Sequence, residues 1–305
     1  MAPNISLLSF ERDASMLVNI LVNGLVAGGV YAILAVGFSL IFGVARILNM
    51  AHTAFYMLTS FFILYGTTKL SMPLPLAILA AIIITTLIGI ISYKLLFDRI
   101  KQHETAVMII SVALAMLFQE VLLLIFGGHY RGVPPFAKGF VDIFGSRISY
   151  QHLFAIGTSG LILLGLWVLL SKTRLGNAIR AVSQDRVIAN LMGINVNRIF
   201  MIVMAISVSL AGFAGAVVAP IYMVGPLMWI QPLTIVLAAV VLGGLGSIGG
   251  CVAGALILGY TETIVTFLVP GGAFLSGAVS LSIMVLVLLI RPEGLFGVVF
   301  EEERL

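Results

Sequence analysis

The sequence predicts an all-α polytopic membrane protein with about eight or nine transmembrane segments, some broken or re-entrant. Three observations carry this. Of 305 residues, 61% are hydrophobic and only 9% charged, where soluble domains have roughly a quarter charged. The mean hydropathy is +1.20. The apolar residues fall in runs close to the ~20 residues that a hydrocarbon core of ~30 Å demands, and a chain of this length holds about eight to ten such crossings with short loops. Little chain is left for a soluble part, so residues 1–305 are expected to form one membrane domain.

The first run, 16–42, follows MAPNISLLSFERDASM, which has neither a basic n-region nor a small-residue cleavage site, so this helix is expected to be retained. The run 53–67 is short and follows the polar group Asn49, His52 and Thr53. Runs 73–97, 105–127, 151–171 and 198–223 have full crossing length, whereas 232–246 runs into GGLGSIGG at 243–250. The spans 251–269 and 273–290 complete the set. The short run 53–67 and the glycine-ended run 232–246 are the candidates for broken or re-entrant elements.

Charge orients these spans. The 16 Lys and Arg exceed the 12 Asp and Glu by a net +4. The excess sits in short loops between apolar runs, which reads as cytoplasmic loops rather than as a nucleic-acid footprint. The interval 172–198 carries Lys172, Arg174, Arg180, Arg186 and Arg198 against the single acid Asp185 and is placed in the cytoplasm. Counting outward, 128–150 becomes extracytoplasmic, although it carries Arg131, Lys138 and Arg147, while 98–104 and the C-terminal segment become cytoplasmic. The side of the N-terminus depends on whether 53–67 crosses. The single cysteine, Cys251, lies in an apolar stretch and excludes an intrachain disulfide. The 32 glycines cluster in and beside spans, where small residues let helix backbones approach in lipid.

No catalytic pattern is present. The chain contains no GxxxxGK[ST], and GGLGSIGG lacks the lysine of a phosphate loop, so Gly243, Gly244, Gly246, Gly249 and Gly250 read as a helix break. The four histidines, His52, His103, His129 and His152, show no ligand spacing, so neither a metal nor a bound cofactor is expected. Two carboxylates, Glu120 and Glu262, fall within apolar spans; such groups face a bundle interior or a water-filled path, as proton relays or as interhelical hydrogen-bond formers. Asn49 and His52 stand where two runs meet, either lining a pathway or closing helix ends. In SKTRLGNAIRAVSQDRVIANLMGINVNRI, 171–199, Ile179, Val182 and Ala189 repeat near the helical period with Arg180, Asp185 and Arg186 on other faces. This predicts an amphipathic helix over about 176–191, ended by Gly193, that rests on lipid headgroups or enters a groove of a soluble partner.

Four stretches, GVYAILAVGFSLIFGVARILNMAH (29–52), TRLGNAIRAVSQDRVIANLMGINVNRI (173–199), VVLGGLGSIGGCVAGALILG (240–259) and RPEGLFG (291–297), resemble the permease subunits of branched-chain amino acid ABC transporters, the LivH-like branch. The likeness runs from the first span to the C-terminal segment. It departs at Thr53, where the family commonly has glycine. The resemblance implies a multi-pass permease of a bacterial or archaeal cytoplasmic membrane. It implies pairing with a second, similar permease, two cytoplasmic ATPase subunits that hold the ATP, and a periplasmic or lipid-anchored substrate-binding protein. The segment 172–198 looks like the family's coupling element, with Gly176, Ala181, Ala189 and Gly193 matching its pattern. The substrates implied are branched-chain or related amino acids, and relatives also handle urea and short amides. The competing class is a secondary transporter driven by an ion gradient through Glu120 or Glu262. An intramembrane enzyme lacks a nucleophile and base pair.

Overall fold

A computed structural model describes residues 5–100, 103–143, 145–291 and 294–296. Helix α1 (Ile5–Ala45) runs unbroken for 41 residues, about 60 Å at 1.5 Å per residue, twice the hydrocarbon thickness. The loop 46–51 reverses the chain into α2 (His52–Thr68). Pro73 starts α3 (Leu74–Ser92), which continues through a π turn at Tyr93–Phe97 into α4 (Asp98–Ile100), making one span. Next come α5 (Glu104–Phe126) and an antiparallel hairpin, β1 (Phe140–Ile143) and β2 (Ser146–Ser149), with Val141 opposite Ile148. The chain then forms α6 (Tyr150–Lys172), α7 (Arg174–Gln184), α8 (Arg186–Leu191), α9 (Val196–Val218), α10 (Ile230–Gly243), α11 (Ile248–Leu268) and α12 (Gly272–Ile290).

Seven of the described helices are long and apolar enough to cross a membrane. The two runs singled out as irregular form the short helices α2 and α10, of 17 and 14 residues. At about 25 and 21 Å they fall short of the hydrocarbon thickness. Both are wrapped by other helices. Nearly every side chain of α2 from His52 to Leu64 is buried, and its hydroxyls bond inward, Thr59 to Thr85 at 2.9 Å and Ser60 to the Gly215 carbonyl at 3.2 Å. Long central α1 packs against α11 so closely that a methyl on Gly259 would strike the backbone of Gly28, the close approach small residues permit in lipid. Around this interior, α5, α6 and α12 turn apolar side chains such as Leu124, Trp167 and Leu289 outward, the face a bilayer covers.

Two contacts define the ends of the bundle. At one, the β2 residue Ser146 donates to the Ser15 carbonyl at 2.7 Å and accepts from Asn19 at 3.1 Å. At the other, Arg186 donates to the Val44 carbonyl at 3.3 Å. The N-terminal part of α1 therefore lies beside the hairpin, opposite the arginine-rich α7 and α8. If the arginine-rich segment is cytoplasmic, as its charge predicts, the N-terminal end of α1 stands on the extracytoplasmic side, a relation between the two ends that the sequence left open.

The C-terminal motif acts on the bundle locally. The backbone N–H groups of Leu295 and Phe296 donate to the carbonyls of Leu242 and Gly243 at 2.7 and 3.3 Å, satisfying acceptors that the end of α10 exposes. Residues 292, 293 and 297 of that motif lie outside the described residues.

Candidate functional site

The sequence places a carboxylate at 262, and the fold turns it into a cavity wall. A cavity of about 540 Å³ lies among α1, α2, α10, α11 and α12 and the loops beside them, within the range of roughly 300–1,000 Å³ of small-molecule sites. The Tyr31 hydroxyl donates to one Glu262 oxygen at 2.7 Å and the Gln231 amide to the other at 2.6 Å. Tyr56, Tyr130, Tyr222 and Met228 line the remaining wall. Tyr222, in the loop after α9, has its pKa raised, first by burial and then by the Glu262 charge. That loop is pinned: Arg131 and Val224 exchange backbone hydrogen bonds of 3.0 and 2.8 Å, and Trp229 donates to Gln119 at 2.9 Å. Glu120, the other carboxylate, lies exposed on α5, bonded by its neighbour Gln119, and takes no part in the cavity.

Asn49 and His52 lie away from this cavity. His52 is fully buried, its Nε2 3.0 Å from the Leu34 carbonyl and its Nδ1 3.3 Å from Ser207. Asn49, also buried, accepts from the Ala51 N–H. Together they hold the reversal between α1 and α2. The glycine segment makes a second reversal, between α10 and α11, where Gly244 and Gly246 adopt φ of +96° and +88°. A methyl on Gly250 would collide with the Gly243 carbonyl, whereas one on Gly249 would meet nothing.

The expected single helix over 176–191 is two helices. Asp185 ends α7 and caps α8, accepting from the N–H groups of Val187 and Ile188 at 2.7 and 2.9 Å; an aspartate side chain favours that cap over a helix interior. Thr173 caps α7 by the same chemistry. Ile179, Val182 and Ala189 face inward as the periodicity predicts, Gly176 is buried beside them, and Ala181 is half-buried. Gly176 abuts the carbonyls of Leu169 and Leu170, leaving no room for a side chain. Arg180 is exposed and donates to Asn177 at 2.6 Å.

Arg186, also exposed, reaches back onto the bundle. It donates to the α1 end and lies 5.2 Å over the Phe200 ring, with its pKa lowered by burial first and by the Arg46 charge second. Gly193, at φ +83°, follows α8. Besides Arg186 and Asn190, the fold leaves an apolar group outward on α8 and just after it: Val187, Ile188, Leu191 and Met192 are 70, 58, 80 and 79% exposed. Sequence reading missed this patch, because its attention followed the arginines and the inward stripe. It also missed Tyr31, Tyr56, Tyr222 and Gln231, neutral residues whose only signal was polarity inside or beside apolar runs.

The family model "Branched-chain amino acid transport system / permease component" matches residues 20–288. The high-affinity branched-chain amino acid transport system permease protein BraD of Pseudomonas aeruginosa is 31% identical over 301 residues, covering 91% of this chain and 94% of its own. Its counterpart LivH of Escherichia coli K12 is 26% identical, covering 90% and 94%. Among solved structures, PsaBC from Streptococcus pneumoniae in complex with Fab aligns with a TM-score of 0.55 at 16% identity over 94% of this chain and 97% of that one, which shows the fold. With seven long apolar helices among its described residues, this chain is a multi-pass membrane protein and belongs to the family of branched-chain amino acid transport permease components.

Proposed function

We propose that residues 1–305 form a single permease domain, the transmembrane subunit of an ATP-binding-cassette importer of branched-chain or closely related amino acids. Membership of the permease family carries this reading. The cavity at the extracytoplasmic end is a receiving chamber for a small solute. The exposed apolar face of α8, at the opposite end, is a seat for an ATPase subunit. The chain itself supplies neither nucleotide site nor catalytic chemistry, and ATP acts on the partner subunits. A second, homologous permease completes the pathway, two ATPases dock in the cytoplasm, and a periplasmic or lipid-anchored binding protein delivers the amino acid.

In this reading, α8 is the mechanical input. Closure of the ATPases moves α8, and the Arg186 guanidinium transmits that displacement to the end of α1 at Val44 and to α9 at Phe200. Helix α1 also packs against α11, which carries Glu262, so movement at one end reaches the cavity at the other. The coupling requires alternative arrangements of this bundle rather than continuous bending, since packed interiors are bistable.

The test is uptake in proteoliposomes. The chain alone is expected to transport nothing. The assembly with companion permease, ATPases and binding protein should accumulate leucine, isoleucine or valine only with ATP, and should keep doing so when an uncoupler collapses the ion gradient. Uptake by the chain alone without ATP, or its loss on uncoupling while ATP remains, would overturn the proposal in favour of a gradient-driven carrier. Accumulation of urea or short amides in place of amino acids would keep the transporter class and replace the substrate.

A further inference from the structure

We infer that the Glu262 carboxylate, held between the Tyr31 hydroxyl and the Gln231 amide in the extracytoplasmic cavity, is the recognition site for the substrate's ammonium group during passage. This deepens the reading of the chain as an amino acid permease and rests on it.

The lining of the cavity supports the assignment by what it contains and what it omits. Among the described residues Glu262 is the only carboxylate of the lining, which has no Lys, Arg or His. Both of its hydrogen-bond donors on the wall, Tyr31 and Gln231, are neutral. A carboxylate drawn into a protein wall is unfavourable without a cationic partner. The wall provides geometry and hydrogen bonds but no counter-charge, and an arriving ammonium supplies it. Each carboxylate oxygen accepts one bond from the wall and keeps a further lone-pair direction, so a three-donor –NH₃⁺ binds without displacing either fixed partner.

The surrounding surface suits the rest of the same molecule. Tyr31, Tyr56, Tyr130 and Tyr222 line the cavity, and aromatic rings attract cations at modest strength and accept apolar surface. Met228 and Leu227 add adaptable apolar wall for an aliphatic side chain. With no cation among the described lining residues, the substrate carboxylate meets neutral donors there. The chamber therefore admits a free anion poorly and grips a zwitterion at its ammonium end only. Such one-ended binding fits a transit site, which must release what it receives.

The experiment measures amino acid transported per ATP hydrolysed in the complete reconstituted assembly, with leucine-loaded binding protein at saturation so that the binding protein's own affinity does not enter. Glu262→Gln preserves shape and hydrogen bonding but not charge. It is expected to lower the ratio by about tenfold to a hundredfold, the scale of one charge-assisted hydrogen bond, in assemblies that retain their ATPase subunits. Glu262→Asp should recover part of the loss. A ratio within about twofold of the parent in Glu262→Gln overturns the inference and leaves the permease assignment standing, since a spread that small corresponds to well under one such bond. If the parent assembly moves no amino acid at all, the permease assignment itself falls. Should Glu262→Gln fail to assemble, Tyr31→Phe and Gln231→Leu decide: an unchanged ratio in both overturns the inference, and a several-fold fall with normal hydrolysis upholds it.

Discussion

Replacing Leu191 and Met192 together by aspartate is expected to abolish ATP-driven uptake while the chain still inserts and folds. Both side chains stand about four-fifths exposed at the end of α8, next to exposed Val187 and Ile188. Neither is in the buried core, so removal leaves no cavity. At an interface, the few apolar anchors that fill a partner's pocket each contribute on the order of 2 kcal/mol or more, a loss of roughly thirtyfold in affinity apiece. Two charges carried into that pocket add a desolvation penalty. Co-purification of the ATPase subunits with the permease in mild detergent checks the outcome, and their full retention on the doubly substituted chain would refute α8 as the docking point. Arg186→Ala separates transmission from docking. It removes the bond to Val44 and the stacking on Phe200 but leaves the apolar face intact. The ATPases should stay bound and hydrolyse ATP, with uptake per ATP reduced several-fold.

Substitution of Gly250 by valine should cost the chain its fold. The α10 and α11 backbones meet at Gly243 and Gly250, and even the first carbon of a side chain on Gly250 would overlap the Gly243 carbonyl. Overpacking in a well-filled core costs typically ~1–3 kcal/mol, and here the obstacle is backbone rather than a side chain able to rotate away. The shift would also disturb the α10 end, where Leu295 and Phe296 bond to the Leu242 and Gly243 carbonyls. Gly249→Ala provides the control. One residue away, its added methyl meets no atom within 4 Å. Membrane yield and thermal unfolding should separate the two variants by many degrees. Equal stability would show that α10 and α11 do not approach as described.

Glycines that look equivalent in GGLGSIGG thus have unequal roles, and the same divide runs through the rest of the molecule. The apolar runs located the spans, because the bilayer requires each crossing to be apolar along its length and internally hydrogen-bonded. The short runs at 53–67 and 232–246 stood out for the same reason, and they became α2 and α10. Periodicity in 171–199 found the inward face at Ile179, Val182 and Ala189. It missed the break at Asp185, because a capping side chain competes with helix continuation through local hydrogen bonds that periodicity does not register.

The two intramembrane carboxylates show where reading by composition ends. Glu120 and Glu262 look alike in the sequence, each in an apolar run. One lies exposed on α5 beside Gln119, and the other faces a cavity between Tyr31 and Gln231. Tyr31 is 231 positions from Glu262 along the chain, and only the packing of α1 against α11 brings them together.

The sequence by itself determined the membrane class, the approximate spans and the family likeness. These depend on transfer free energies and local motifs, which are properties of contiguous residues. The tertiary structure decided which carboxylate faces the cavity, that Arg186 reaches back to α1 and α9 while Leu191 and Met192 turn outward, that His52 is packed away from the cavity, and that α1 begins at the opposite end of the bundle from α7 and α8. Each of these is a relation between distant segments, fixed by how helices pack and by which backbone groups still need partners, and no window along the chain contains both halves of it.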